Sequence, residues 1–298
     1  MKPAVFFATP RKLPKVTALA GRVVVLDIAF AADGTGASFD KITGHFIAGL
    51  GDRLARWVDH HDHELHQRYA SDPRFVLFTK QQHGACPELV TPALVQDTGP
   101  VDTVVCHDDL DGIYSAAKWL LEGREPYEGA DADARAVDTR TGTCSRVGQW
   151  MDRALRGQHR DERLRRDVLG YLVGGLRDPD ARGRIDDAAD AFALHEERAE
   201  RLAERYVLQG SLAIVDATGF VEREGHYDKT LVLLLGQKRA KVSMVFDDQT
   251  VTFAAAFDSG VDLLALLGIQ GGMPTRVSVP RTRLDEAIKR VREGISKR

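Results

Sequence analysis

Four apolar runs in the first half of the chain each deliver a carboxylate at their carboxyl end. "GRVVVLD" ends at Asp27, and "RLARWVDHH" ends at Asp59, His60 and His61. "VDTVVCHDDLDG" runs into His107, Asp109 and Asp111, and "ARAVDTRTG" ends at Asp138. Runs rich in β-branched residues and bounded by glycine or polar clusters read as buried strands. Helix-like stretches such as "GIYSAAKWLLEG" separate them. Alternation of this kind predicts an α/β fold with a mostly parallel sheet flanked by helices. Ligands of such sheets bind outside the carboxyl ends of the strands. Parallel neighbours would therefore bring all four acidic ends to one rim.

A rim of that composition repels itself, because clustered like charges oppose ionisation. A divalent cation relieves the repulsion, and carboxylate oxygens mixed with imidazole favour Mn, Mg, Fe or Zn over a thiolate-bound metal. The number of candidate ligands points to two ions rather than one, a device of phosphoester hydrolysis. Taken alone, Asp138 reads as a helix cap or a turn residue, and any single histidine as a hydrogen-bonded core residue. The metal reading gains its weight from "DHHDH" and "HDDLDG" standing in one chain, each behind an apolar run. Between Asp108 and Asp109, the spacing to Asp111 selects Asp109, since residues two apart in an extended segment point the same way. Asp62, His63 and His66 read as rim or supporting groups, and Ser115 as a packing residue of its helix.

"VDHHDHE" at 58–64 resembles the signature of the DHH phosphoesterase superfamily. That group includes RecJ-type single-strand nucleases, oligoribonuclease/pAp phosphatases, cyclic-dinucleotide phosphodiesterases and manganese pyrophosphatases. "VVVLDIAF" resembles its second motif, "CHDDLDGIYSA" its first in the HxDxDG spacing of RecJ-like members, and "AVDTRTG" its fourth. The order departs from the family: here HxDxDG follows DHH. The resemblance implies that Asp27 bridges two metals, with His107 and Asp109 completing one shell and His60, Asp111 and Asp138 the other. It implies that His61 faces the substrate phosphate, that Asp59 orients a histidine or closes the strand end, and that a metal-bridging hydroxide is the nucleophile. Two Mn2+ ions are the implied cofactors, with Mg2+, Fe2+, Zn2+ or Co2+ as alternatives.

The second half reads as a connecting helix over 186–209, ended by Gly210, and a smaller α/β domain over 210–298; residues 1–185 form the metal-binding domain. "RDPDARGR" (177–184) reads as a loop, and "SLAIVDA", "KTLVLLLG", "AKVSMVF" and "QTVTFAAAF" as strands. "LDEAIKRVREGISKR" reads as an amphipathic helix. "FDSGVDLLALLGIQGGMPTRVSV" resembles the DHH-associated substrate-binding domain, where an Arg-Ser pair and a GGH-type motif are usual. This chain has Asp258-Ser259 and Gly271-Gly272-Met273 instead, with Arg276 as a substitute positive charge. Glycines there let backbone N–H groups approach a phosphate closely. The Arg-rich segment 152–169 reads as a solvated helix face, because acids interleave it and stacking aromatics are lacking.

Composition narrows the partners. A net charge of −3 leaves no global basic field for long nucleic acid, and no apolar run is long enough to span a bilayer. Three scattered cysteines form neither a CxxC pair nor a disulfide framework, which fits a reducing cytoplasm. The expectation is a metal-dependent phosphoesterase of a nucleotide or short single-stranded oligonucleotide, held between the two domains; a homodimer is compatible with it. The alternative is a nucleotide or cyclic-dinucleotide sensor that keeps the fold and lacks turnover.

Overall fold

The computed structural model describes residues 2–32, 38–158, 161–269 and 273–296. The chain divides into two compact units, 1–190 and 191–298.

The first unit is built on five strands: β1 (Ala4–Ala8), β2 (Val23–Leu26), β3 (Leu54–Asp59), β4 (Phe75–Leu77) and β5 (Thr103–His107). Their spatial order is β1-β5-β2-β3-β4, and every neighbouring pair is parallel. The helices are α1 (His45–Leu50), α2 (Pro92–Thr98), α3 (Leu110–Leu120), α4 (Ala130–Thr139), α5 (Arg146–Gly157) and α6 (Glu162–Val173). The three central strands are mostly apolar because both of their faces are covered, Arg56 in the interior of β3 being the charged exception. On β2, Val24 and Leu26 pack with α3–α6 residues such as Ile113, Tyr114, Ala134, Met151 and Leu172. The intervening Val23 and Val25 face the other layer, with Phe46 and Leu50 of α1 and Trp57 of β3.

Helix α7 (Pro179–Ala203) runs through the boundary between the units. The second unit holds β6 (Val207–Gln209), β7 (Leu212–Asp216), α8 (Phe220–Glu224), α9 (Lys229–Gln237), β8 (Val242–Phe246), β9 (Thr250–Ala255), α10 (Leu263–Leu267), β10 (Arg276–Pro280) and α11 (Leu284–Ser296). Its sheet order is β10-β9-β8-β7-β6, with β7 and β8 parallel and the other pairs antiparallel. The α/β class, the parallel sheet with its flanking helices and the smaller second α/β unit are as the sequence predicts. No helix among the described residues is long and apolar enough to cross a membrane.

Several local expectations are corrected. "ARAVDTRTG" is not a strand: it is the second half of α4, where alanines lower the cost of helix, and Asp138 stands in the last turn. "KTLVLLLG" is α9, because its leucines suit a helix as well as a strand and Asp228 caps it by accepting from the Leu231 N–H at 3.1 Å. The segment 177–184 is largely helical, not a loop. Pro179 opens α7 with its φ preset, and the Asp178 carboxylate accepts from the N–H groups of Asp180 (2.9 Å) and Ala181 (3.1 Å). The connecting helix expected over 186–209 thus begins at Pro179 and ends at Ala203. Gly210 sits in the turn of the β6–β7 hairpin with φ of 63°, a left-handed conformation that favours glycine.

Candidate metal centre

The rim at the carboxyl ends of β2, β3 and β5 gathers the acidic and imidazole groups. Asp27 follows β2 directly and is buried, with a φ of 60°. A non-glycine residue in the left-handed region is strained by about 1 kcal/mol or more. That turn bends the chain out of the strand while the Asp27 N–H still donates to the Val58 carbonyl at 2.8 Å. The two carboxylate oxygens diverge: Oδ1 lies 3.4 Å from His60 Nε2 and Oδ2 lies 3.7 Å from His107 Nδ1.

His60 and His61 leave the end of β3 in different directions. His60 is fully buried, and its Nδ1–H donates to the His83 carbonyl at 2.9 Å. A carbonyl can only accept, so Nε2 is left to face Asp111 Oδ2 at 3.1 Å and Asp138 Oδ2 at 3.8 Å. Outer partners that fix a histidine tautomer in this way are usual behind metal ligands. His61 Nδ1–H donates to buried Asp59 Oδ1 at 2.8 Å, and its side chain stays 29% exposed.

The third strand end contributes His107 and the start of α3. Asp109 caps that helix, accepting from the Gly112 N–H at 3.1 Å, while its other oxygen lies 2.8 Å from His107 Nδ1. Asp111 is in the first helical turn and accepts from the Cys86 N–H at 3.2 Å. The sequence placed Asp109 and Asp111 on one side of an extended segment. Helix formation corrects this: the chain turns at Leu110, so Asp109 joins His107 and Asp111 joins His60. Gly112 allows the turn, because a Cβ there would sit 2.6 Å from His107 Cβ and closer still to its carbonyl oxygen.

Three triads therefore present ligand atoms within 4.8 Å of one another: Asp27–His107–Asp109, His60–Asp111–Asp138 and Asp27–His60–His61. Both oxygens of Asp27 and Asp111 Oδ1 are buried without a hydrogen-bond partner among the described residues. Orphaned buried polar atoms are costly, and hard oxygen plus imidazole donors at this density suit a divalent cation. The residues present fit two such ions.

The electrostatics agree with a site made to receive positive charge. Burial raises the carboxyl pKa of Asp27 and of Asp111 above the ordinary range, although His60 pulls against it. Burial alone would lower the imidazoles, but contacts with Asp111 and Asp27 outweigh it for His60, pushed up to about 12. His107 is pushed up to about 10 by Asp109 and Asp27, again against burial.

All six candidate ligands named from sequence, Asp27, His60, His107, Asp109, Asp111 and Asp138, meet at this rim, with His61 and Asp59 beside them. Asp108 turns away to Arg165, which reaches it through Nη2 at 3.0 Å and bonds its carbonyl through Nε. At Arg165 this departs from the reading of 152–169 as a solvated face: that residue is buried on α6, its charge spent behind the His107–Asp109 turn, whereas Glu162, Arg163 and Arg166 are exposed. His63 and His66 are not ligands here; they stack edge-on against Phe30, and burial lowers the pKa of both. Arg276 lies in the second unit at the start of β10, its guanidinium donating to Thr230 Oγ1 at 3.1 Å. Gly271 and Gly272 lie outside the described residues.

Three contributors have no sequence signal. The His83 carbonyl and the Cys86 N–H act through backbone atoms, which side-chain patterns cannot reveal. Lys80, in an ordinary polar turn, is buried with Nζ 2.6 Å from Asp138 Oδ2.

No family model and no curated protein matches the chain. Among solved structures it is similar to a pGpG-specific phosphodiesterase, PggH from Vibrio cholerae, at 13% sequence identity. The similarity covers 93% of this chain and 99% of that one, with a TM-score of 0.42. At that level of likeness the geometry of the rim has to carry the functional reading.

Proposed function

We propose that the protein is a metal-dependent phosphoesterase of the DHH type, acting on a nucleotide or a short oligonucleotide. One observation supports it above the others: Asp27 turns Oδ2 toward His107 of the Asp27–His107–Asp109 triad and Oδ1 toward His60, which also belongs to the His60–Asp111–Asp138 triad. A carboxylate so placed would be able to serve two cations. Two bound divalent ions would lower the pKa of water and offset charge on phosphoryl oxygens.

The chain's own residues divide the remaining work. His107 and Asp109 would hold one ion with Asp27; His60, Asp111 and Asp138 would hold the other. Asp59 fixes the His61 ring through Nδ1 and would stabilise its imidazolium form, whose Nε2–H could bond a phosphoryl oxygen or pass a proton to the leaving oxygen. The exposure of His61 beside buried ligands suits contact with substrate. The nucleotide class comes from the motif resemblance, and the choice of Mn2+ from ligand type together with that resemblance.

The test is turnover of a linear dinucleotide, pApA, by metal-stripped protein with and without Mn2+, beside Asp27→Asn. Mononucleotide released only by the metal-loaded wild type is expected. Tight nucleotide binding with no hydrolysis of pApA, pAp or a cyclic dinucleotide would overturn the enzyme reading in favour of a sensor.

A further inference from the structure

Among the described residues, Lys80 is the one lysine or arginine paired directly with a candidate ligand. It stands in the turn after β4, braced by the Gln82 side chain accepting from the Thr79 N–H at 2.9 Å. Its side chain is 6% exposed, and Nζ lies 2.6 Å from Asp138 Oδ2. That same oxygen is the one facing His60 Nε2 at 3.8 Å. The ammonium therefore occupies the side of Asp138 that a metal ion would use, and it supplies one of the two positive charges that the ion would bring. The other triad is different. Among the described residues, the ion pairs of Asp27 and Asp109 are with histidines, and those of His107 are with Asp27, Asp108 and Asp109; no lysine or arginine pairs with any of the three.

We propose that Lys80 is a resident counter-cation of the His60–Asp111–Asp138 site and makes the two metal positions unequal. The Asp27–His107–Asp109 site fills first. The second fills only when the Lys80 ammonium leaves Asp138, so occupancy of the complete centre follows the supply of free metal. The inference rests on the two-metal reading above and concerns affinity rather than chemistry. Lys80 is a positioning residue in this account: it acts through Asp138 and needs no contact with substrate.

The test is calorimetric titration of Mn2+ into metal-stripped, full-length protein, with bound metal counted by mass spectrometry. Wild type is expected to show a tight site and a distinctly weaker one. Lys80→Met keeps the aliphatic stem and removes the charge. It should tighten the weaker site by about tenfold or more and leave the tighter one within about twofold. Two equal sites in wild type overturn the proposal, as does a Lys80→Met whose second site is unchanged or weaker. A wild type that binds no Mn2+ at all overturns the metal reading on which it stands. Should Lys80→Met fail to fold by circular dichroism, Lys80→Gln replaces it, and the wild-type isotherm still decides between equal and unequal sites.

Discussion

Asp27 combines three costs in one residue: a left-handed backbone, full burial and two orphaned oxygens. Such a combination persists where function requires it. Asp27→Asn keeps the shape and tolerates the left-handed turn, but it removes the buried charge. Because the folded-state pKa of Asp27 is raised above its ordinary 3.8, ionisation subtracts stability above that pH. Metal-free Asp27→Asn should therefore melt higher than metal-free wild type at pH 7, while losing turnover by about a thousandfold. Thermal melts and the dinucleotide assay check the two halves. The imidazoles set the wider pH profile. His60 and His107 have folded-state pKa values raised from 6.5 to about 12 and about 10. Their contribution is complete below about 6.5 and is lost as pH rises toward those values. Asp59 and Asp109 are lowered, so their contribution is lost as pH falls below about 4. Metal-free protein should be most stable between about pH 4 and 6.5 and should weaken steadily toward pH 10. Melts across that range in chelator test the sign, and a stability rising from pH 7 to 10 would refute it.

At the scale of elements, the strand ends were legible and the helix identities less so. β2, β3 and β5 are apolar runs covered on both faces, a pattern that has few other solutions. α4 and α9 escaped because alanine- and leucine-rich stretches of eight to ten residues satisfy either period. β1 and β4 were missed because they are edge-placed and only partly buried, and β4 is only three residues long. The six candidate ligands could be read from their position behind apolar runs, even though Asp138 reaches the rim from a helix. Lys80, the His83 carbonyl and the Cys86 N–H could not, since tertiary folding alone brings them there. The start of α3 gives the matching prediction. Gly112→Ala forces a methyl group into the His107 backbone and should cost about 1–3 kcal/mol by overpacking. It should also weaken Mn2+ uptake at the Asp27–His107–Asp109 triad. Chemical denaturation and metal titration read these separately, and wild-type values in both would remove Gly112 from the account.

The whole molecule is two units, and the candidate metal centre belongs to the first. A ligand that binds only the folded state stabilises it by mass action, about 2.7 kcal/mol at a hundredfold excess over Kd. Mn2+ should therefore raise the transition of the unit that contains the rim, and chelator should reverse the shift. Asp27→Asn should respond to neither. Scanning calorimetry of the full chain separates the outcomes; a metal-dependent shift that survives in Asp27→Asn would place the ions elsewhere. With a net charge of −3 there is no global basic field, so the proposed substrate would be held at the site rather than by a long basic track. Hydrolysis of a dinucleotide should accordingly fall only weakly between low and physiological salt.

The most direct test of a two-ion rim is anomalous scattering from crystals of the full chain equilibrated with saturating Mn2+. Two peaks are predicted, bridged by Asp27, one within about 2.0–2.3 Å of His107 and Asp109 ligand atoms and the other equally near His60, Asp111 and Asp138. No peak at the rim, or manganese bound only at other carboxylates, would contradict the account.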